Sequence, residues 1–178
     1  MRYPTETYAA NVTRSRASLA AVDPKLAALF GEFVERTRGI SVEEMQVLYT
    51  STFDLDPICS LEVGWHLFGE NYERGEFLVK MRGELRRLGV AESSELPDHL
   101  SHVLEALDRM EADEASEFAA ACLFPALDKI IAGFKDKANP FEFVLLAARQ
   151  LLELRFERAE LATIAAEPAF RILASEGW

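Results

Sequence analysis

The residues best suited to chemistry lie around positions 95–105, where two histidines stand among carboxylates. His99 and His102 are three residues apart, with Glu95, Asp98 and Glu105 close in sequence. Such groups bind zinc or iron, but a metal site needs three or four converging ligands. A helical wheel places His99 at the rim of the apolar face and turns Asp98 and His102 toward solvent. The spacing therefore predicts an Asp98–His102 pair one turn apart rather than a metal site.

Other catalytic signatures are missing from the sequence. It contains no Gly-x-Ser-x-Gly elbow, no glycine-rich phosphate loop, no Rossmann fingerprint and no Glu-x-x-His motif. Cys59 and Cys122 form no Cys-x-x-Cys pair, which predicts a reducing, cytoplasmic setting. We therefore expect a protein that is not an enzyme and that holds no metal or cofactor. The alternative is an all-α metal-dependent hydrolase that uses His66, His99, His102 and nearby carboxylates.

Composition and charge narrow the classes of partner. The 178 residues are 49% hydrophobic and 28% charged, as in ordinary globular proteins, and the formal charge is −11. This charge argues against nucleic acid and anionic membrane surfaces and is compatible with a basic partner. The apolar run 143–148 is too short to span a bilayer, and no signal peptide is visible at the N-terminus. Carboxylates are dense on both sides of residues 95–99, which predicts electrostatic attraction of a basic segment.

Helical periodicity runs through the whole chain, and no segment alternates with the period of a strand. Helix-start signals stand at Asp23-Pro24, Ser41, Asn71, Pro97 and Asn139-Pro140. Pro125 predicts a kink or break between 118–124 and 127–134. Gly75 and Gly83, inside one predicted helix, suggest close approach of a neighbouring helix. The predicted fold is all-α: a single-domain helical bundle over residues 1–178, with 158–178 as a C-terminal helical extension.

Three segments carry a resemblance to a known family. They are 48–54 with the following Cys59-Ser60-Leu61, then 69–75, and then Glu-Leu-Pro-Asp-His-Leu at 95–100. In this order and spacing they resemble the NarJ/TorD family, cytoplasmic chaperones that help to assemble molybdenum-cofactor oxidoreductases. The resemblance is closest to the nitrate-reductase delta-subunit branch and runs over about residues 45–107.

The resemblance implies a bundle of the NarJ/TorD type and a peptide partner. Members bind the basic, amphipathic N-terminal segment of a molybdoenzyme catalytic subunit, a twin-arginine signal or its vestige, and support cofactor insertion into that subunit. The family signature is matched by Glu95, Pro97, Asp98 and His99. Val63, Gly64 and Ser101 depart from the nitrate-reductase pattern, and the client therefore stays open.

The expected peptide-binding site joins this signature to nearby aromatic residues. Its members are Glu95, Pro97, Asp98, His99, Tyr49, Phe53 and Trp65. We expect Asp98 and neighbouring carboxylates to bind the client's arginine or lysine, and a groove near Tyr49, Phe53 and the 97–110 helix to take its apolar side. Core packing is the default interpretation of the three aromatic residues. A third hypothesis is a structural subunit that remains in the finished oxidoreductase.

Overall fold

The computed structural model describes residues 2–135 and 137–156, and these residues confirm the all-α prediction. The helices are α1 Tyr8–Val22, α2 Pro24–Arg36, α3 Val42–Tyr49, α4 Val63–Phe68, α5 Tyr72–Arg87, α6 Leu100–Arg109, α7 Ala112–Phe118, α8 Phe124–Ala132 and α9 Phe141–Arg155. Two π-helical turns, Thr50–Asp54 and Ala119–Leu123, interrupt this series. None of the described helices has the length and apolarity that crossing a bilayer requires. The predicted extension 158–178 lies outside the described residues.

Most of the helix starts lie where the sequence places them. Ser41 and Glu44 form the predicted capping box, with both reciprocal hydrogen bonds present. The Asp23 carboxylate accepts from the Lys25 N–H at 2.7 Å, and Asn139 accepts from the Phe141 N–H at 3.0 Å. One start is wrong: the helix predicted to begin at Pro97 begins at Leu100.

At Pro125, where the sequence predicts a kink or a break, the helical path does not break but includes a π-helical turn. Its ring would clash with the carbonyl group four residues earlier in a regular α-helix, and it has no N–H to donate. The wider π-helical turn Ala119–Leu123 lies directly before α8 and provides room for the ring. The helical path from α7 to α8 therefore continues through Pro125, although not as one uniform α-helix.

The chain divides into two compact units, each with its own core. The terminal unit comprises Arg2–Ser60 and Ile131–Arg155, and the central unit comprises Leu61–Ile130. In the terminal unit, α2 packs on α1 and α9, and a cluster of rings fills the core. The cluster consists of Phe33, Tyr49, Phe53, Phe134 and Phe141, with neighbouring ring centroids 4.9–6.1 Å apart. The all-α bundle is confirmed as the fold class, whereas the extent of one domain over residues 1–178 stays a prediction.

The central unit buries one face of α5 and one face of α6. Phe77, Met81 and Leu85 line the buried face of α5, and Val103 and Leu107 belong to that of α6. These positions follow the three-to-four-residue spacing expected of an amphipathic helix. Within residues 2–135 and 137–156 no neighbouring helix accounts for Gly75, because a Cβ atom at this position would meet none of these residues within 4 Å.

Candidate functional site

The turn that carries the family signature is largely buried, contrary to the helical-wheel prediction. Pro97 is buried, and Asp98, His99 and His102 are only 0%, 5% and 1% exposed. The prediction that Asp98 and His102 point to solvent is therefore wrong. The wheel failed because it assumed a helix from residue 97, whereas 97–99 form a turn and Glu62 pairs with His99 in an isolated antiparallel bridge.

Asp98 joins this turn to the start of α4. Its Oδ2 atom accepts a hydrogen bond from the Gly64 N–H at 2.8 Å, and its backbone carbonyl accepts from the Val63 N–H at 3.0 Å. The bridge is completed by the Leu100 N–H, which donates to the Leu61 carbonyl at 2.8 Å. Asp98 thus satisfies two N–H groups at the N-terminal end of α4, where the helix dipole favours a negative group.

The environment of Asp98 disfavours its ionised form. Burial raises the pKa of Asp98 from 3.8 to about 6, because the carboxylate loses its hydration. The Gly64 hydrogen bond opposes this shift, the charge of Glu62 adds to it, and the charge of Arg74 opposes it. The second carboxyl oxygen, Oδ1, is buried without a hydrogen-bond partner among the described residues. Asp98 is therefore a buried structural acceptor with one oxygen still unsatisfied.

His99 starts α6 through its side chain. As the residue before Leu100, it accepts a hydrogen bond from the Ser101 N–H at its Nδ1 atom, at 3.2 Å, and the same nitrogen lies 2.8 Å from the Ser101 hydroxyl. Imidazole is an unusual N-cap, since serine, threonine and aspartate lead at this position. Acceptance at Nδ1 requires a neutral ring with its proton on Nε2.

His102 holds the loop that precedes the turn. Its Nε2 atom accepts from the Ser93 N–H at 3.1 Å, and its Nδ1 atom lies 2.9 Å from the Leu96 carbonyl. These partners assign a neutral ring with the proton on Nδ1, donating to that carbonyl. The sequence predicts a pair between Asp98 and His102, but His102 bonds instead to backbone groups of residues 93 and 96. These two hydrogen bonds hold the backbone of residues 93–96 against the buried His102 ring.

Two residues of the segment 95–100, which carries the family signature, lie at the surface. Glu95 is exposed, and the Leu96 side chain is 39% exposed. The Glu95 N–H donates to the Ser93 hydroxyl at 3.2 Å, and His102 holds the Leu96 carbonyl. The loop therefore presents a carboxylate beside an apolar side chain on a backbone that is hydrogen-bonded to the core. We call Glu95 and Leu96 the loop tip.

Trp65 lies in α4, close to an ion pair. The Arg74 guanidinium lies over the Trp65 ring, 5.2 Å from its centroid, and donates to Glu62 at 2.5 Å. Trp65 is partly exposed. A cation over an indole face is the most favourable cation–π arrangement. Trp65 and the loop tip thus both belong to the central unit.

Tyr49 and Phe53 belong to the ring cluster of the terminal unit. They are 3% and 5% exposed, and both rings contact Phe141. The π-helical turn Thr50–Asp54 contains Phe53, and the Thr52 hydroxyl of this turn donates to the Leu48 carbonyl of α3 at 2.6 Å. A side chain that bonds back to the carbonyl four residues earlier distorts a helix. For these two residues, the default interpretation of core packing is confirmed.

The geometry gives the hydrolase alternative no support. No group of three or more histidine, cysteine, aspartate or glutamate side chains is arranged to hold a metal ion within residues 2–135 and 137–156. His99 and His102 are committed to backbone hydrogen bonds, with their ring centroids 6.2 Å apart. Sequence reasoning missed the roles of Gly64, which donates to Asp98, and of Arg74, whose charge acts on Asp98 and which lies over Trp65. Gly64 was noticed only as a departure from the family pattern.

The sequence of this chain is similar to that of known proteins. Two curated relatives are each 35% identical to the chain over 75 residues: the "Nitrate reductase molybdenum cofactor assembly chaperone NarJ" of Escherichia coli (strain K12) and that of Escherichia coli O157:H7. Each match covers 42% of this chain and 32% of the relative, so about a third of each relative's length is spanned. The model of the nitrate reductase delta subunit family matches residues 18–147. The chain therefore belongs to the nitrate reductase delta subunit family.

Proposed function

We propose that this protein is a cytoplasmic assembly chaperone for a molybdenum-cofactor oxidoreductase of the nitrate-reductase kind. In this proposal it binds the basic, amphipathic N-terminal segment of the catalytic subunit, supports insertion of the cofactor into that subunit, and catalyses no reaction. The family match over residues 18–147 carries the proposal. The named function of the NarJ relatives supports it.

The loop tip is exposed, so a client can reach it without unfolding of the protein. Glu95 offers a carboxylate to an arginine or lysine of the client, and Leu96 offers an apolar contact beside it. A basic amphipathic helix carries the complementary combination, a positive charge beside an apolar face. Trp65, partly exposed in the same unit, adds aromatic surface to the proposed site.

The buried signature residues then act through position. Asp98 fixes the turn to Gly64, His99 starts α6, and His102 holds the 93–96 backbone. Pro97 limits the backbone of the turn because its ring fixes φ. In this proposal, direct contact between Asp98 and a client arginine is replaced by a supporting role. Tyr49 and Phe53 act on the terminal-unit core and not on the peptide.

Calorimetry with the N-terminal peptide of a nitrate-reductase catalytic subunit tests the function and the site separately. We expect Glu95→Gln to weaken binding about five- to tenfold, because one charge-assisted hydrogen bond is lost. Glu117→Gln is the matched control: it removes the same charge from another exposed position and leaves affinity unchanged. Binding of wild type should weaken with rising salt.

The outcomes distinguish two failures. If wild type ignores every oxidoreductase N-terminal peptide offered, the proposed function is wrong. If wild type binds but Glu95→Gln and Leu96→Ser bind equally well, the function stands and the loop tip is not the site.

Co-purification supplies the second test of the chaperone role. A chaperone is recovered with the cofactor-free precursor and lost on maturation, whereas a structural subunit remains with the finished enzyme.

A further inference from the structure

The outer face of α5 carries apolar residues that the described part of the chain leaves uncovered. Tyr72 is 82% exposed and Val79 is 72% exposed, although both lie in a regular helix whose opposite face is buried. Gly75, Arg82 and Arg86 are also exposed and share this face, since 72, 75, 79, 82 and 86 follow helical spacing. Residues 76 and 83 lie on the same face, because each follows 72 or 79 by four residues. We call residues 72, 75, 76, 79, 82, 83 and 86 the α5 stripe.

Gly75 has no steric role within the described chain. A Cβ atom at this position would meet nothing within 4 Å, and φ is not positive there. Glycine inside a helix destabilises it relative to alanine, so packing within the described chain does not account for Gly75. Glycine on an outer helix face does permit close approach of a second helix, whose side chains then fill the space.

The α5 stripe is symmetric in sequence about Val79. Glu76 and Arg82 lie three residues on either side of it, and Gly75 and Gly83 lie four residues on either side. Tyr72 and Arg86 lie seven residues on either side. A two-fold axis through Val79 in an antiparallel pair therefore places each glutamate opposite an arginine, each glycine opposite a glycine, and each tyrosine opposite an arginine. Every one of these pairings is favourable or sterically permissive.

We propose that α5 is a self-association surface whose occupant is α5 of a second copy of this chain, antiparallel about Val79. The charge complementarity follows from opposite charges on the two halves of the stripe, which a parallel pair would not match. The contact from Tyr72 to Arg86 spans about 21 Å of helix at 1.5 Å per residue. An interface built from one helix per copy is small, so the dimer is weak and concentration-dependent.

Charge exchange tests the proposed register. Glu76→Arg alone and Arg82→Glu alone each place like charges opposite each other twice, and each should weaken dimerisation at least tenfold in sedimentation velocity. An equimolar mixture of the two variants places opposite charges together again and should restore dimers. Glu73→Arg is the control, since the same charge change at an exposed position beside the α5 stripe should leave the dimer intact.

Arg82 also donates to Glu92 at 2.9 Å, so Arg82→Glu alters a local contact as well. The mixture separates the two effects, because restoring a dimer cannot restore the Arg82–Glu92 pair. Val79→Cys with a short bismaleimide linker gives a second measurement, with Val47→Cys as control at a similarly exposed valine on α3. Cys59 and Cys122 are buried. Selective crosslinking of Val79→Cys is expected.

A monomeric wild type at the highest soluble concentration would overturn the proposal. It would also be overturned by failure of the mixture to dimerise, or by equal crosslinking of Val79→Cys and Val47→Cys. Peptide affinity plays no part in these measurements, so their outcome is independent of the proposed function.

Discussion

The turn around Asp98 and the ring cluster around Phe53 both contain residues of the predicted peptide-binding site, and both are buried, but by different means. Phe53 is surrounded by rings, with the Tyr49 and Phe141 centroids 4.9 and 5.0 Å away. Asp98 is held by single directed contacts, above all the 2.8 Å hydrogen bond from Gly64. Apolar burial depends on volume and area, whereas polar burial depends on each individual partner atom.

This difference predicts how each region responds to substitution. In the ring cluster, the loss of stability should follow the volume removed. In the Asp98 turn, it should follow whether a specific donor, acceptor or small residue is kept, even when volume hardly changes. The variants below test this distinction.

The largest effect is expected from Phe53→Ala. The side chain is 5% exposed and contacts three rings of the terminal-unit core, so its removal leaves a cavity. The free energy of unfolding should fall by about 3–5 kcal/mol, as for other buried phenylalanines. Denaturant unfolding measures this change. Phe53→Leu is the control, and a loss as large as that of Phe53→Ala would show that volume is not the controlling quantity.

The next effect is a pH dependence that comes from Asp98. Its folded pKa is about 6, above the ordinary 3.8, so the folded state holds the proton more tightly than the unfolded chain. The resulting stability is fully present below pH 3.8 and is lost as the pH rises through 6. A shift of this size corresponds to about 3 kcal/mol. Glu62 and Arg74 face the same carboxyl group and modulate the shift.

Asp98→Asn isolates this term. The carboxamide keeps an acceptor for the Gly64 N–H but has no ionised form, so the wild-type loss of stability between pH 4 and 7 should disappear. The measured quantity is the difference in unfolding free energy between wild type and variant at each pH. Subtraction removes the contributions of the titrating groups that both proteins share. A difference that stays constant with pH would contradict the assignment.

A third variant, Gly64→Ala, adds a single methyl group to the Asp98 turn. Its Cβ atom would lie 2.8 Å from Asp98 Oδ2 and 2.8 Å from the Phe77 ring, and both are too close. We expect a loss of about 1–3 kcal/mol, typical of an overpacked core. If Gly64→Ala lowers the free energy of unfolding by the same amount in an Asp98→Ala background, the contact with Asp98 Oδ2 is not the cause of the loss.

The sequence predicted the helices well and the environment of the signature residues poorly. Capping signals at Ser41, Asp23 and Asn139 are local, so each could be identified without knowledge of the fold. The burial of Tyr49 and Phe53 agreed with their apolar spacing. Asp98 and His102 are polar, and a polar residue is normally assigned to the surface unless its partner is known. Their partners are Gly64 and a loop backbone, which no periodicity identifies.

The smallest effect, and one of opposite sign, is expected from Gly75→Ala. Gly75 lies in the same unit as Gly64, but no described residue lies within 4 Å of its Cβ position, and its backbone is helical. Alanine should therefore raise the unfolding free energy by up to about 1 kcal/mol, because it has the higher helix propensity and restricts the unfolded chain. The measurement is best made at a concentration low enough to keep the chain monomeric. There, equal losses for Gly64→Ala and Gly75→Ala would refute the distinction, because the two residues differ in what surrounds their Cβ positions.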